Sequence, residues 1–262
     1  MEFRTRVEIG SPDFAIEPME PMLFVGSCFA DSIGQRFREE RFPVTVNPFG
    51  VMYNPVSVLH TVSRCDVVPV VAFLTLGTNH VYRLKETGEV VDNCQKRPQN
   101  LFQEETLTVS QCVEALMQCV ALLQERNPSV HVVVTVSPIR YAKYGFHGSQ
   151  LSKGILLMAA DELVQRCTSV SYFPAYEIVL DELRDYRFYQ PDMLHPSQQT
   201  VDYIWERFVD SYFSPRAKAF LQEWKPIKEA LAHRPFHPDS DDYKKFLELT
   251  RQKEQDLIAR YI

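Results

Sequence analysis

Beginning at position 21 the chain reads Pro21-Met22-Leu23-Phe24-Val25-Gly26-Ser27-Cys28-Phe29-Ala30-Asp31. Five apolar residues stop at a glycine, and Phe29, Ile33 and Phe37 then fall four apart on one helical face. A buried strand that turns at once into an amphipathic helix is the building unit of a parallel α/β sheet. The same texture recurs outward from this point. Val70-Val71-Ala72-Phe73-Leu74-Thr75-Leu76 is stopped by Gly77, and His131-Val132-Val133-Val134-Thr135-Val136 is the clearest strand. Val170 to Phe173 is a fourth candidate and Val44-Thr45-Val46 a short fifth. Helical spacing fills the intervals at 108–125, 150–166 and 198–212, the last preceded by the cap residue Ser197. The expectation is a three-layer α/β/α fold of flavodoxin-like type around a mostly parallel five-stranded sheet, with right-handed crossovers.

Two segments depart from this rhythm. Val81-Tyr82-Arg83-Leu84 and Glu89-Val90-Val91 flank Thr87-Gly88 and predict a β-hairpin insertion at about residues 80–100. After Ser214-Pro215 the charge becomes dense and mixed, with two helices broken at His233-Arg234-Pro235-Phe236-His237-Pro238. The domains expected are therefore 1–213 and a helical extension, 214–262, which either folds back or joins two copies as a homo-oligomer.

Composition narrows the class. The 262 residues are 45% hydrophobic and 24% charged, which excludes a disordered chain or a coiled-coil rod. A net charge of −6 argues against a nucleic-acid partner, which needs clustered Lys and Arg. No apolar run approaches the length of a membrane span, and no signal-peptide pattern follows Met1. Six cysteines lack any C-x-x-C pair and read as reduced thiols of a cytoplasmic protein. No G-x-G-x-x-G, P-loop or metal-ligand motif is present, so neither cofactor nor metal is expected; Pro235 and Pro238 break the helix that His233 and His237 would need as ligands.

Ligands of open parallel sheets bind at the carboxyl ends of the strands. The residues that follow the strands are Gly26-Ser27-Cys28, Asn47-Pro48-Phe49-Gly50, Gly77-Thr78-Asn79-His80 and Ser137-Pro138-Ile139-Arg140. Asp192-Met193-Leu194-His195-Pro196 precedes the last core helix. A serine in the first turn is expected to carry its hydroxyl exposed above the sheet, beside the free N–H groups of a helix start.

In order and content these blocks resemble the SGNH (GDSL-like) hydrolases, and Gly26-Ser27-Cys28-Phe29-Ala30 looks like the motif of the GSCFA family, an offshoot of that group. Tyr176-Glu177 with Asp181-Glu182-Leu183-Arg184-Asp185-Tyr186-Arg187 is similar to GSCFA sequence as well, so the resemblance spans roughly residues 20–210. It implies Ser27 as nucleophile, in a first block that is usually Gly-Asp-Ser and here is Gly26-Ser27-Cys28. It implies Asp192 and His195 as the remaining catalytic pair. Ser27 N–H, Gly50 N–H and the Asn79 amide would form the oxyanion hole, in a third block that usually ends in Asp and here ends in His80. The chemistry is coherent: imidazole can take a serine proton near neutral pH, and a carboxylate three residues earlier can fix its tautomer.

Each residue also has a plainer role. Ser27 can cap the following helix. Cys28 can be the nucleophile in its place, a pocket residue, or a small buried filler. Asp192 and His195 can form a local loop hydrogen bond, and Asn79 can be an ordinary turn residue. His80 can line the pocket or begin the hairpin. Arg140 can hold an acidic substrate group or pair with a carboxylate, which is the commoner fate. The residues 181–187 are expected as a charge-laced loop wall. The functional expectation is a serine esterase acting on a small acyl ester, such as an O-acetyl group on a carbohydrate. An acyltransferase using the same site, and a non-catalytic binding or scaffold protein, are the alternatives.

Overall fold

The computed structural model describes residues 4–92 and 97–262. Five strands form the central sheet: β1 (Met22–Gly26), β2 (Val44–Val46), β3 (Val71–Leu76), β6 (His131–Val136) and β7 (Val170–Tyr172), in the order β2-β1-β3-β6-β7. All four pairings are parallel, with Met22 opposite Val44 and Val71, Val71 opposite His131, and Val132 opposite Val170. The three-layer α/β/α fold is as expected from the apolar runs.

Alternation along the strands assigns the two faces, since successive side chains point to opposite sides. Met22, Phe24 and Phe73 pack with α1 (Cys28–Glu39) and α6 (Gln198–Tyr212) in a core rich in aromatic rings. Phe24 stacks on Phe73 at 4.2 Å, and Phe37 meets Trp205 edge-on at 4.8 Å. Leu23, Val25, Ala72 and Leu74 face the other way, against α2 (Pro55–Arg64), α3 (Val109–Arg126) and α4 (Gly145–Arg166). Asn54 caps α2, and Thr108 with Gln111 forms a capping box on α3. The chain runs out from β1 through α1 on one face, then back through α2 on the other. The strand order therefore reverses between β1 and β3, and in open parallel sheets the ligand crevice lies at the carboxyl ends of such a switch point.

The insertion contains the expected hairpin and a further strand that the sequence reading did not place. β4 (His80–Leu84) pairs along its length with β5 (Phe102–Thr106), His80 opposite Thr106. The expected return strand pairs with β4 as well: Leu84 N–H donates to Glu89 O at 2.9 Å and Val91 N–H to Tyr82 O at 2.8 Å, around the antiparallel bridge of Arg83 with Val90. Just beyond it, Asp92 accepts from His60 Nδ1 at 2.7 Å and from Arg64 at 2.8 Å on α2. That anchor ties the hairpin to α2. Residues 93–96 of the expected insertion, including Cys94, lie outside the described residues.

The stretch 181–187, expected as a loop wall, begins inside a helical segment. A short α5 (Ala175–Glu177) runs into a π-helical turn at Ile178–Leu183, which ends at Arg184 with φ +50°. The tail is a pair of helices, α7 (Pro215–Ala232) and α8 (Asp241–Tyr261), folded back on the end of α1. Trp224 Nε1–H donates to the Glu39 carbonyl at 3.0 Å, Lys228 meets Glu40 at 2.7 Å, and Arg41 meets Glu254 at 2.6 Å. Among the described residues no helix is long and apolar enough to cross a membrane.

Candidate active site

The crevice begins where β1 touches β3. Gly26 has φ +147°, and a Cβ there would stand 2.1 Å from the Thr75 carbonyl oxygen, so only glycine fits. Ser27 N–H donates to Thr75 O at 3.2 Å and to Thr75 Oγ1 at 3.1 Å. Ser27 Oγ accepts from Phe29 N–H at 3.3 Å, the N-cap geometry for α1, and lies 3.4 Å from Thr75 Oγ1. Ser27 is 0% exposed. The expectation of a hydroxyl standing free above the sheet is thus corrected. Capping turns the oxygen back toward the helix, and the close approach of β3 covers it.

Cys28, the next residue, is only partly buried. Its Sγ lies 3.8 Å from Tyr53 Oη, and Tyr53 is exposed. Burial, with the Cys28 thiol beside it, pushes the Tyr53 hydroxyl up to about 12.

The three groups expected to form an oxyanion hole are all engaged within the chain. Ser27 N–H is held by Thr75. Gly50 N–H donates to the Asn47 carbonyl at 2.8 Å and closes a turn in which Gly50 has φ +94°. Asn79 is buried; its Nδ2 donates to Leu107 O at 2.8 Å and its backbone N–H to Ser152 Oγ at 3.0 Å. Asn79 fastens the insertion to α4.

Asp192 and His195 meet as expected. Asp192 Oδ2 lies 2.6 Å from His195 Nδ1, while Oδ1 accepts the N–H of Leu194 at 2.8 Å and of His195 at 3.0 Å. These backbone donors, and then the imidazole, hold the Asp192 carboxyl down at about 2. The turn is pinned from outside: Arg140 N–H donates to Leu194 O at 3.0 Å and its guanidinium to Met193 O at 2.7 Å. His195 Nε2 has no hydrogen-bond partner among the described residues, and neither Ser27 nor Cys28 is bonded to it.

Arg140 corrects the carboxylate-pair expectation, since among the described residues it forms no ion pair. Its guanidinium instead lies 4.1 Å from the ring of Phe146 and 5.6 Å from those of Tyr186 and Tyr189. Together with Gln150, Arg184 and Asp185, Arg140 and the two tyrosines line a cavity of about 240 Å³ beside the Asp192 turn. A larger cavity of about 590 Å³ lies away from this chemistry, around Phe14, His131 and Ser169 at the amino ends of β6 and β7. His80 begins β4, stacks on Tyr144 at 3.6 Å, and pairs with Glu104 at 3.1 Å. Burial pulls its pKa down, against the pull of Glu104.

Several functional residues escape the sequence reading. Asn47 Oδ1 accepts Gly26 N–H at 2.8 Å and its Nδ2 donates to Asp31 at 2.7 Å, which fixes the first turn. Lys153 is buried and donates to Gly77 O and Ser137 O, both at 2.7 Å, tying the ends of β3 and β6 together. Burial pulls its pKa down to about 7. Its spacing from Ser149, Leu156, Ala160 and Leu163 along one face of α4 was a usable signal. Tyr141 reaches back from beside Arg140. Its hydroxyl is buried with no partner among the described residues, and a Cβ on Gly77 would stand 2.4 Å from that oxygen and 3.4 Å from Ser27 Cβ.

The GSCFA family model matches residues 21–67 and 69–208, and a model of the GSCFA domain protein C-terminal domain matches 224–262. No curated protein matches the sequence. Among solved structures, a candidate acylhydrolase from Bacteroides fragilis is 12% identical at a TM-score of 0.49, covering 82% of this chain and 92% of that one. A carbohydrate esterase family 3 protein from Talaromyces cellulolyticus is 11% identical at 0.45, covering 78% and 99%. A candidate GDSL-like lipase from Parabacteroides merdae is 13% identical at 0.47, covering 75% and 98%.

Proposed function

We propose, from the premise that this chain belongs to the GSCFA family, that it is an acyl-ester hydrolase working in the crevice between β1 and β3. The observation that carries the reading is the Asp192–His195 pair. One carboxylate oxygen is fixed by two backbone N–H groups and the other holds Nδ1 at 2.6 Å, which leaves Nε2 as the basic nitrogen. Such a base takes the proton of a nucleophile, then returns it to the leaving alcohol. The nucleophile belongs to the β1–α1 turn, where Ser27 and Cys28 are neighbours. The acyl group is small, an O-acetyl for instance. The alcohol is a carbohydrate, whose hydroxyls suit the Gln150, Arg184 and Asp185 side chains and whose ring faces suit Tyr186 and Tyr189.

The test is acetate release from acetylated sugars and from 4-nitrophenyl acetate. The expected result is turnover by the wild type that His195→Ala lowers by ~10²–10⁴-fold, the usual contribution of a positioned base. A folded wild type that cleaves no ester, or an equally active His195→Ala, overturns the reading. One observation favours a second reading, a binding protein on the same fold: Ser27 N–H, Gly50 N–H and the Asn79 amide all have acceptors within the chain. An inert wild type that still binds acetylated sugar in calorimetry is the outcome that reading requires.

A further inference from the structure

We propose that the nucleophile is the Cys28 thiol and that the buried Tyr141 hydroxyl is the donor that meets the oxyanion. This rests on the hydrolase reading and goes further by choosing between the two side chains of the turn. The choice follows from where their atoms are. Ser27 Oγ is enclosed, accepts from Phe29 N–H and lies against Thr75 Oγ1. An acyl carbon has no approach to it without breaking the N-cap. Cys28 is the first residue of α1, where the positive end of the helix favours an anion. The residue is only partly buried, and its sulfur rests at 3.8 Å from the Tyr53 hydroxyl.

A second observation independently points to a ligand at this place. Among the described residues Tyr141 Oη is buried with no hydrogen-bond partner, a costly arrangement unless something else supplies one. It lies over Gly77, beside Ser27, in a spot that any side chain at position 77 would fill. Burial drives the Tyr141 pKa far up, and Tyr53 and Cys28 add to the effect, so the hydroxyl keeps its proton. Arg140, adjacent in sequence, anchors the carbonyls of Met193 and Leu194. One short segment thus joins the base-bearing turn to the turn that carries Cys28. With Ser27 N–H and Gly50 N–H already engaged, the Tyr141 hydroxyl is a buried donor with no acceptor among the described residues.

The chemistry balances without a co-reactant other than water. The Cys28 proton passes to His195 Nε2 as sulfur bonds to the acyl carbon, and the oxygen that gains charge takes the Tyr141 hydrogen bond. The carbon–oxygen bond to the alcohol breaks, and the alcohol leaves with the proton from His195. Water, deprotonated by His195, then attacks the thioester. The acid departs and the thiolate regains its proton.

The test is brief incubation of the full-length protein with 4-nitrophenyl acetate, acid quench and peptide mapping by mass spectrometry. The other cysteines serve as internal controls for random acetylation. The expected result is one acetyl group on Cys28, removed by neutral hydroxylamine as a thioester is, absent in His195→Ala, and retained in Ser27→Ala. Turnover should fall at least ~100-fold in Cys28→Ala, and Tyr141→Phe should lower kcat by ~10–10³-fold with little change in KM. An acetyl group on Ser27 that persists in Cys28→Ala overturns the thiol assignment and leaves the hydrolase reading standing. No site-specific acetyl group and no turnover in a protein with wild-type circular dichroism overturns both.

Discussion

Asp192 shows how far a single side chain can be specified by its neighbours. It uses one oxygen for two backbone N–H groups and the other for the imidazole. Its carboxyl is held at about 2, below the ordinary 3.8, so the folded state binds the proton less readily than the unfolded chain. The stabilisation is complete above the ordinary value and is lost as pH falls toward about 2. Asp192→Asn should therefore fold, lose activity by ~10²–10⁴-fold through the wrong imidazole tautomer, and lack the acid-side loss of turn order. The His195 ring proton resonances, followed between pH 5 and 2, check this; identical titration behaviour in both proteins would contradict it. The spacing Asp192-x-x-His195 was legible in the sequence because the contact is local. Tyr141 was not, because its isolation depends on Gly77 and Ser27, which the fold brings beside it from distant stretches. Ser27 was half legible: its place in the turn could be read, but the shielding by Thr75 needed the parallel pairing of β1 with β3.

Among the elements, strands were the most readable and their attachments the least. β1, β2, β3, β6 and β7 are short and largely apolar, a pattern that period alone can detect. β5 is not: Phe102-Gln103-Glu104-Glu105-Thr106 is polar and mostly exposed, and its strand state comes from pairing with β4. α4 was legible as a helix, but its buried Lys153 was hidden among residues such as Leu156 and Ala160. This lysine joins two strand ends through Gly77 O and Ser137 O. Replacement by Met leaves those buried carbonyls without a hydrogen-bond donor and should cost about 2–3 kcal/mol. Burial sets the folded pKa near 7 against an ordinary 10.5, so the folded state releases its proton first. The lysine's contribution to stability should grow as pH rises from about 7 toward 10.5 and fade below that window. Urea unfolding of wild type and Lys153→Met at several pH values reads this directly, and parallel stability curves would refute it.

At the scale of the whole molecule the tail is part of the structure's support. Phe220 and Trp224 are buried, and Trp224, Lys228 and Glu254 all contact the α1 end, at Glu39, Glu40 and Arg41. Full burial of a large apolar side chain is worth about 1.5–3 kcal/mol, so a chain ending at Phe213 should lose several kcal/mol and expose Phe42 and Phe213. A lower urea midpoint and stronger binding of a hydrophobic dye are expected; an unchanged midpoint would show that the extension is dispensable. The charge texture of residues 214–262 revealed their helices but not their docking, because the groups they meet lie on the end of α1, far away in the chain. Arg140 joins the aromatic collar to the Asp192 turn through the carbonyls of Met193 and Leu194, and the proposed reaction requires these parts to act as one centre.

The most direct measurement is the time course of 4-nitrophenol release on rapid mixing of the protein with 4-nitrophenyl acetate. The proposed acyl-enzyme mechanism gives a burst of about one equivalent per chain followed by slower turnover, and no burst in His195→Ala. A linear release from the first moment, or release that His195→Ala leaves unchanged, would contradict it.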